Sequence, residues 1–415
     1  MLVIPAPAAA DTRRTLTPQL AYVLVAAVIG LALFASATPS PLYGIYRDLW
    51  GFSPVVLTLV YATYAFGVMA SLLLAGRVSD EVGRRPVLLA SLGALLITSV
   101  LFMLAESVVW LFIARGLQGL ATGLALGAAS AALLDLHPRR DPSGVGLTNG
   151  VASAGGLGLG VLVSAMLVQL LPAQRVLPYA VLFVLFAVAF AGALVMPEPV
   201  ADRTRIRLTP QRPSVPRSVR RPFFLAGLAV LSSWSVGGLF LSLGPQLSAS
   251  LFGTTNHIVT AISVFVLAAC GSASQLALGR RPAWVGAAGG SVALAAGTAI
   301  IVISASTASP ALLLIGSIVG GAGFGLAFLG ALRALSAAIP PDHRAAVMSA
   351  FYVVAYLSLS IPAVIAGIGV NPLGLESTFE ILGSVATVLA LVVAVEAWRT
   401  RPRVVGAEGA SSGAS

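Results

Sequence analysis

The sequence contains no lysine. All 24 basic residues are arginine, and charged residues of every kind fill only 9% of its 415 positions. A soluble globular chain carries about 25%. With 58% hydrophobic residues and a mean hydropathy of +0.98, this scarcity of charge excludes a soluble globular fold and points to an all-α, polytopic membrane protein. Cysteine is nearly absent: Cys270 stands alone in an apolar run, so no disulfide framework exists. The three histidines, His137, His257 and His343, fall in separate loops, and no metal-ligand spacing or catalytic triad can be drawn from them. Metal, cofactor and enzymatic chemistry are therefore not expected. No G-x-x-x-x-G-K-[ST] phosphate loop is present, which argues against ATP as an energy source. The formal charge of +10 would ordinarily suggest nucleic acid, but these arginines are distributed by membrane side. The N-terminal MLVIPAPAAADTRR lacks a basic n-region and a cleavage site, so the first apolar run is read as the insertion signal.

What the chain has in abundance is apolar runs. A helix needs about 20 residues to cross a bilayer, and twelve runs meet that length: 19–42, 53–75, 86–105, 107–136, 144–171, 177–196, 222–248, 256–279, 283–305, 309–336, 344–369 and 376–398. The connections are short except 197–221, which is rich in proline and carries Arg203, Arg205, Arg207, Arg212, Arg217, Arg220 and Arg221. The expected organisation is an N-terminal tail (1–18), a six-helix bundle (19–196), a linker (197–221), a second six-helix bundle (222–399) and a C-terminal tail (400–415). Arginine stays on the cytoplasmic side. With the N-terminus inside, 21 of the 24 arginines fall at the inner face, Arg47 and Arg175 fall outside, and Arg115 lies within a helix. Both termini and the linker are therefore expected in the cytoplasm.

The halves echo one another. Gly119-x-x-x-Gly123 in the fourth run and Gly321-x-Gly323-x-Gly325 in the tenth are related by a shift of 202 residues; Gly83-Arg84-Arg85-Pro86 reappears as Gly279-Arg280-Arg281-Pro282 at a shift of 196. In the latter register the position matching Asp80 is Leu276, so the acid belongs to one half only.

The stretch GRVSDEVGRRP (76–86) joins the second and third runs and fits G-x-x-x-D-x-x-G-R-R through Gly76, Asp80, Gly83, Arg84 and Arg85. That pattern resembles the loop between helices 2 and 3 of the major facilitator superfamily of transporters. Arg115, Gln118, Gly119 and Thr122 share one face of the fourth helix, and R-x-x-Q-G-x-x-x-G resembles that family's helix-4 motif, associated with proton coupling. A buried Arg costs roughly 2.5–3.5 kcal/mol to insert and does not deprotonate, so Arg115 is expected to face a cavity or a polar partner. A structural arginine bonded to helix carbonyls is the alternative. In the fifth run, Gly160, Val161, Ser164 and Ala165 stand where the family's antiporter motif reads G-P-x-x-G-G; the proline and final glycines are missing, so that signature is degraded. Asn149, Trp234, Tyr352 and Tyr356 are candidate cavity residues, with Ser349 and Ser360 continuing the eleventh helix's polar stripe.

The resemblance implies twelve helices in two six-helix pseudo-repeats that alternately expose a central cavity, driven by an ion gradient, with protons as the expected coupling ion. Nearest in appearance is the bacterial drug-efflux branch. A cavity with one fixed Arg and no midplane carboxylate suits neutral or anionic apolar molecules rather than organic cations. An importer of a small nutrient, or a non-transporting membrane sensor, remains an alternative at this point. The expected surroundings are a small-molecule substrate, protons and the lipid bilayer of the cell (inner or plasma) membrane, with the chain a monomer and no nucleic-acid partner. When the cytoplasmic side is closed, Asp80 is expected to cap the N-terminus of the eleventh helix across the interface between halves, near Pro340-Pro341-Asp342-His343-Arg344, with Arg84 or Arg85 and Asp135 orienting it.

Overall fold

Helix starts in this chain are written in small polar residues and proline. Thr17, Ser53 and Ser309 each accept a hydrogen bond from the backbone N–H three residues on, and proline follows directly at Pro18, Pro54 and Pro310. Asn256 accepts from Ile258 and Val259 without a proline. Each cap satisfies donors that a membrane would otherwise leave unpaired. The computed structural model describes residues 15–76, 78–200 and 213–401; most of the expected N-terminal tail, the linker arginines Arg203, Arg205, Arg207 and Arg212, and the C-terminal tail beyond Arg401 lie outside them.

The described helices are α1 (Pro18–Ala37), α2 (Tyr43–Trp50), α3 (Pro54–Ala75), α4 (Val78–Val82), α5 (Arg84–Met103), α6 (Val108–Leu136), α7 (Pro142–Leu170), α8 (Leu177–Leu194), α9 (Arg220–Phe252), α10 (His257–Leu278), α11 (Ala283–Ser306), α12 (Pro310–Ala338), α13 (Arg344–Leu373) and α14 (Leu375–Arg399). By length and composition twelve of these segments are able to cross a membrane, as expected. Two departures have local causes. The first run does not stop at 42 but passes through a 3-10 turn (Ser40–Leu42) into α2, whose Tyr43 and Tyr46 are buried against the core. The seventh continues through Pro245 to Phe252 and ends where Gly253 turns left-handed at φ 58°.

Glycine sets how closely the helices approach. A Cβ on Gly119 would lie 2.2 Å from the Tyr64 carbonyl oxygen, and one on Gly123 would lie 2.8 Å from that of Val68, so α6 rests main chain to main chain on α3. In the second half a Cβ on Gly321 would lie 2.3 Å from the Leu267 carbonyl and one on Gly325 2.3 Å from that of Gly271, seating α12 on α10 in the same way. The partners Tyr64 and Val68 map onto Leu267 and Gly271 at a shift of 203 residues, close to the 202 that relates the glycines themselves. The fold is thus two six-helix pseudo-repeats.

The repeat breaks at the hairpins. Gly76 closes α3 and Gly279 closes α10 with nearly the same backbone angles, φ −59° and −63°. After Gly76 the chain makes the extra helix α4 before α5; after Gly279 only residues 280–282 precede α11. The helix that carries Asp80 has no counterpart in the second half, and Leu276 lies within α10 rather than in a loop.

Candidate functional site

Arg115 lies about a quarter of the way along α6 and is 1% exposed. Four N–H bonds of its guanidinium are directed inward. Nε donates to the Tyr43 hydroxyl at 3.0 Å, and one Nη donates to the Ser36 carbonyl at 2.9 Å and to Gln118 Oε1 at 2.8 Å. The other Nη donates to Tyr43 as well. Gln118 passes the network on by donating to the Ala35 carbonyl at 3.0 Å. Every one of these acceptors is neutral and comes from the first half, and among the described residues no carboxylate forms an ion pair with Arg115. The guanidinium carbon stands 5.3 Å from the centre of the Tyr64 ring, a cation–π contact that gains strength when desolvated. Thr122 is buried two turns along the same face.

Tyr64 connects this network to the second half. With Ala65 and Val68 of α3 it packs against Tyr352, Tyr356 and Leu359 of α13 and Trp234 of α9. Trp234 meets Tyr356 edge-on at 5.3 Å and Phe328 at 5.4 Å. Beside Tyr64, one turn earlier on α3, the buried Tyr61 hydroxyl has no hydrogen-bond partner among the described residues. Of the sequence candidates, Arg115, Gln118, Trp234, Tyr352 and Tyr356 therefore converge around Tyr64. Asn149 does not join them: it donates to Ser130 of α6 at 2.6 Å and accepts from Ser153. Tyr64, at the middle of α3, is with Tyr61 a candidate from the sequence; Tyr43, in the short helix α2, carries no such signal.

At the arginine-rich end, Gly83 takes φ 112°, a conformation that favours glycine. A Cβ there would also fall 2.5 Å from a Glu198 carboxylate oxygen. Glu198 accepts the backbone N–H of Arg84 at 2.9 Å and of Arg85 at 3.0 Å, capping α5 from beyond the end of α8. Arg85 returns a side-chain bond to the Leu194 carbonyl. Arg84 bridges two acids, Asp80 and Asp135, the latter at 3.0 Å, and also donates to Ser79. The cap of the eleventh helix is expected with this end closed; here the halves are hydrogen-bonded at the opposite end, and Arg84 orients Asp80 together with Asp135 as expected. Asp80, its side chain 57% exposed, pairs with Arg84, and α13 begins at His343 without a side-chain cap. Capping by Glu198 is what the sequence reading missed; its signal is an acid in Met-Pro-Glu-Pro directly after the sixth run.

At the opposite end the halves are tied together. Ser40 donates to the Leu241 carbonyl at 2.7 Å, Arg47 to Gln246 at 3.4 Å, and the His257 N–H to Gln169 at 2.8 Å.

The chain is 37% identical over 100 residues to the multidrug resistance protein MdtL of Escherichia coli O157:H7, covering 24% of this chain and 26% of that one. It is 36% identical over 100 residues to the MdtL of Shigella boydii serotype 18. The matched region thus spans about a quarter of the length of these curated relatives. The crystal structure of the human organic anion transporter MFSD10 (TETRAN) superposes with a TM-score of 0.68 over 91% of this chain and all of that one, at 16% identity, a likeness of fold. The model of the Major Facilitator Superfamily matches residues 25–361, and the chain belongs to that family of multi-pass membrane transporters.

Proposed function

We propose that this transporter exports small, largely apolar neutral or anionic compounds, driven by protons, with the arginine-rich end and both termini in the cytoplasm and the chain in the cell membrane as a monomer. The observation that carries the substrate class is the buried Arg115 with no carboxylate partner, separated by one tyrosine ring from an aromatic cluster shared by both halves. A positive charge held in a low-dielectric site repels organic cations and attracts anions, while Trp234, Tyr352 and Tyr356 offer apolar surface. The Tyr61 hydroxyl supplies an uncommitted polar contact. Arginine asymmetry supports the orientation, and the likeness to MdtL over a quarter of its length supports efflux. Proton coupling rests on the resemblance of the 115–123 run. In alternating access the two bundles, 19–196 and 222–399, rock about the aromatic cluster; the hydrogen bonds at the end away from the arginines would seal that side.

Everted vesicles with an imposed pH gradient provide the test. Uptake of labelled lipophilic carboxylates or neutral apolar antibiotics is expected, dissipated by a protonophore. Preferential uptake of quaternary ammonium compounds would overturn the substrate class, and uptake indifferent to the gradient would overturn the coupling.

A further inference from the structure

The Gly-Arg-Arg-Pro sequence occurs twice, and the structure treats the two copies differently. In the first half three carboxylates serve it: Asp80 and Asp135 pair with Arg84, and Glu198 caps the backbone of Arg84 and Arg85. In the second half Arg280 and Arg281 are exposed, and among the described residues neither forms an ion pair. Near the place on α12 that Asp135 occupies on α6 stands another arginine, Arg333, which donates to the carbonyls of Gly279 and Arg281, the latter at 3.0 Å. Arg281 and Arg333 line a small cleft with Leu278, Pro282 and Gly286.

The neighbouring surface is suited to the boundary between headgroups and acyl chains. Trp284, in the first turn of α11, meets Trp398, in the last turn of α14, edge-on at 6.0 Å. Arg401 stacks its guanidinium 4.4 Å over the Trp398 ring. Trp398 is exposed, and so are the apolar Leu276, at 59%, and Leu278. Indole rings prefer the membrane interface, and basic pockets between transmembrane helices bind anionic headgroups.

We propose that this corner, formed by the α10–α11 hairpin, the foot of α12 and the end of α14, is a binding site for one anionic phospholipid. Arg280, Arg281 and Arg401 supply the charge for its phosphate, and Trp284 and Trp398 border its glycerol backbone. The site follows from the missing carboxylates and is independent of what the transporter carries.

Native mass spectrometry of the full chain in detergent, titrated with dioleoylphosphatidylglycerol or dioleoylphosphatidylcholine and without any transport substrate, tests it. A retained phosphatidylglycerol is expected, in preference to phosphatidylcholine. Each arginine removed in Arg280→Gln/Arg281→Gln should weaken binding about fivefold. Leu276→Asp keeps every arginine but places an acid four residues before Arg280, and should weaken binding similarly; it serves if the double variant fails to fold. Arg220→Gln/Arg221→Gln, which removes two exposed arginines elsewhere at the same end, should leave binding unchanged. Equal retention of phosphatidylcholine, an equal loss in the Arg220/Arg221 control, or displacement of the lipid by equimolar glycerol 3-phosphate would each overturn the proposal, the last by showing a soluble-anion site.

Discussion

Replacing Glu198 tests how the arginine-rich hairpin is held. Its carboxylate accepts two N–H groups from the first turn of α5, where the local N-cap is a glycine that has no side chain to offer. Loss of a cap costs about 0.5–2 kcal/mol, and hydrogen bonds to a charged group lie at the upper end of the usual range. For Glu198→Ala, about 1–2 kcal/mol is therefore expected, a factor of 5–30 in the local opening equilibrium. Glu198→Gln keeps an acceptor oxygen for one N–H and loses the charge, so its effect should sit near the bottom of that range. Hydrogen exchange read by mass spectrometry reports such local opening. Peptides covering 78–92 should exchange faster in both variants, more so in the alanine one, while peptides from α12 stay unchanged. Unaltered exchange at the hairpin, or equal acceleration throughout the chain, would refute the reasoning.

Three further outcomes are expected. Arg115→Ala should abolish gradient-driven transport while the protein still reaches the membrane, and Arg115→Lys should rescue poorly, because a single ammonium does not span Tyr43, the Ser36 carbonyl and Gln118 together; vesicle assays with quantified protein decide this. Gly119→Ala, whose Cβ would fall 2.2 Å from a backbone oxygen, should cost about 1–3 kcal/mol or more, whereas Gly146→Ala, in α7 with nothing within 4 Å, should cause no loss, and at most a gain of about 0.5–1 kcal/mol, in a thermal-unfolding comparison. In intact cells an impermeant thiol reagent should label a cysteine placed at Thr254 but not one at Ser214, and labelling at Ser214 would invert the orientation.

The helices were legible because a bilayer imposes length and apolarity on each one, and because Thr17, Ser53, Asn256 and Ser309 mark their starts locally. Arg115 was legible for the same reason: a fixed charge in an apolar run has few explanations. Its partner Tyr43 was not, since it belongs to a short helix whose burial depends on packing 72 residues away in sequence. The capping role of Glu198 was hidden likewise, because the bond joins the ends of two helices that only the fold brings together. Arg84 was expected to orient Asp80 and does so from four residues away; the cap on the eleventh helix, expected with that end closed, is not made in this arrangement, where the halves are bonded at the opposite end. The repeat was visible in its glycines. The different hairpin shift, 196 rather than 202, was visible as well, but its cause is the extra helix α4, which emerges only from the traced chain.

The glycine contacts have a mechanical consequence. Where α6 lies on α3, and α12 on α10, main chain meets main chain, so no rotamer is available to absorb a displacement. Each pair then behaves as a stiff plank across a hydrocarbon layer about 30 Å thick. A tilt imposed at one end reaches the other with little loss, and compliance between the halves is left to side-chain contacts such as those of Tyr64 with Tyr356 and Leu359.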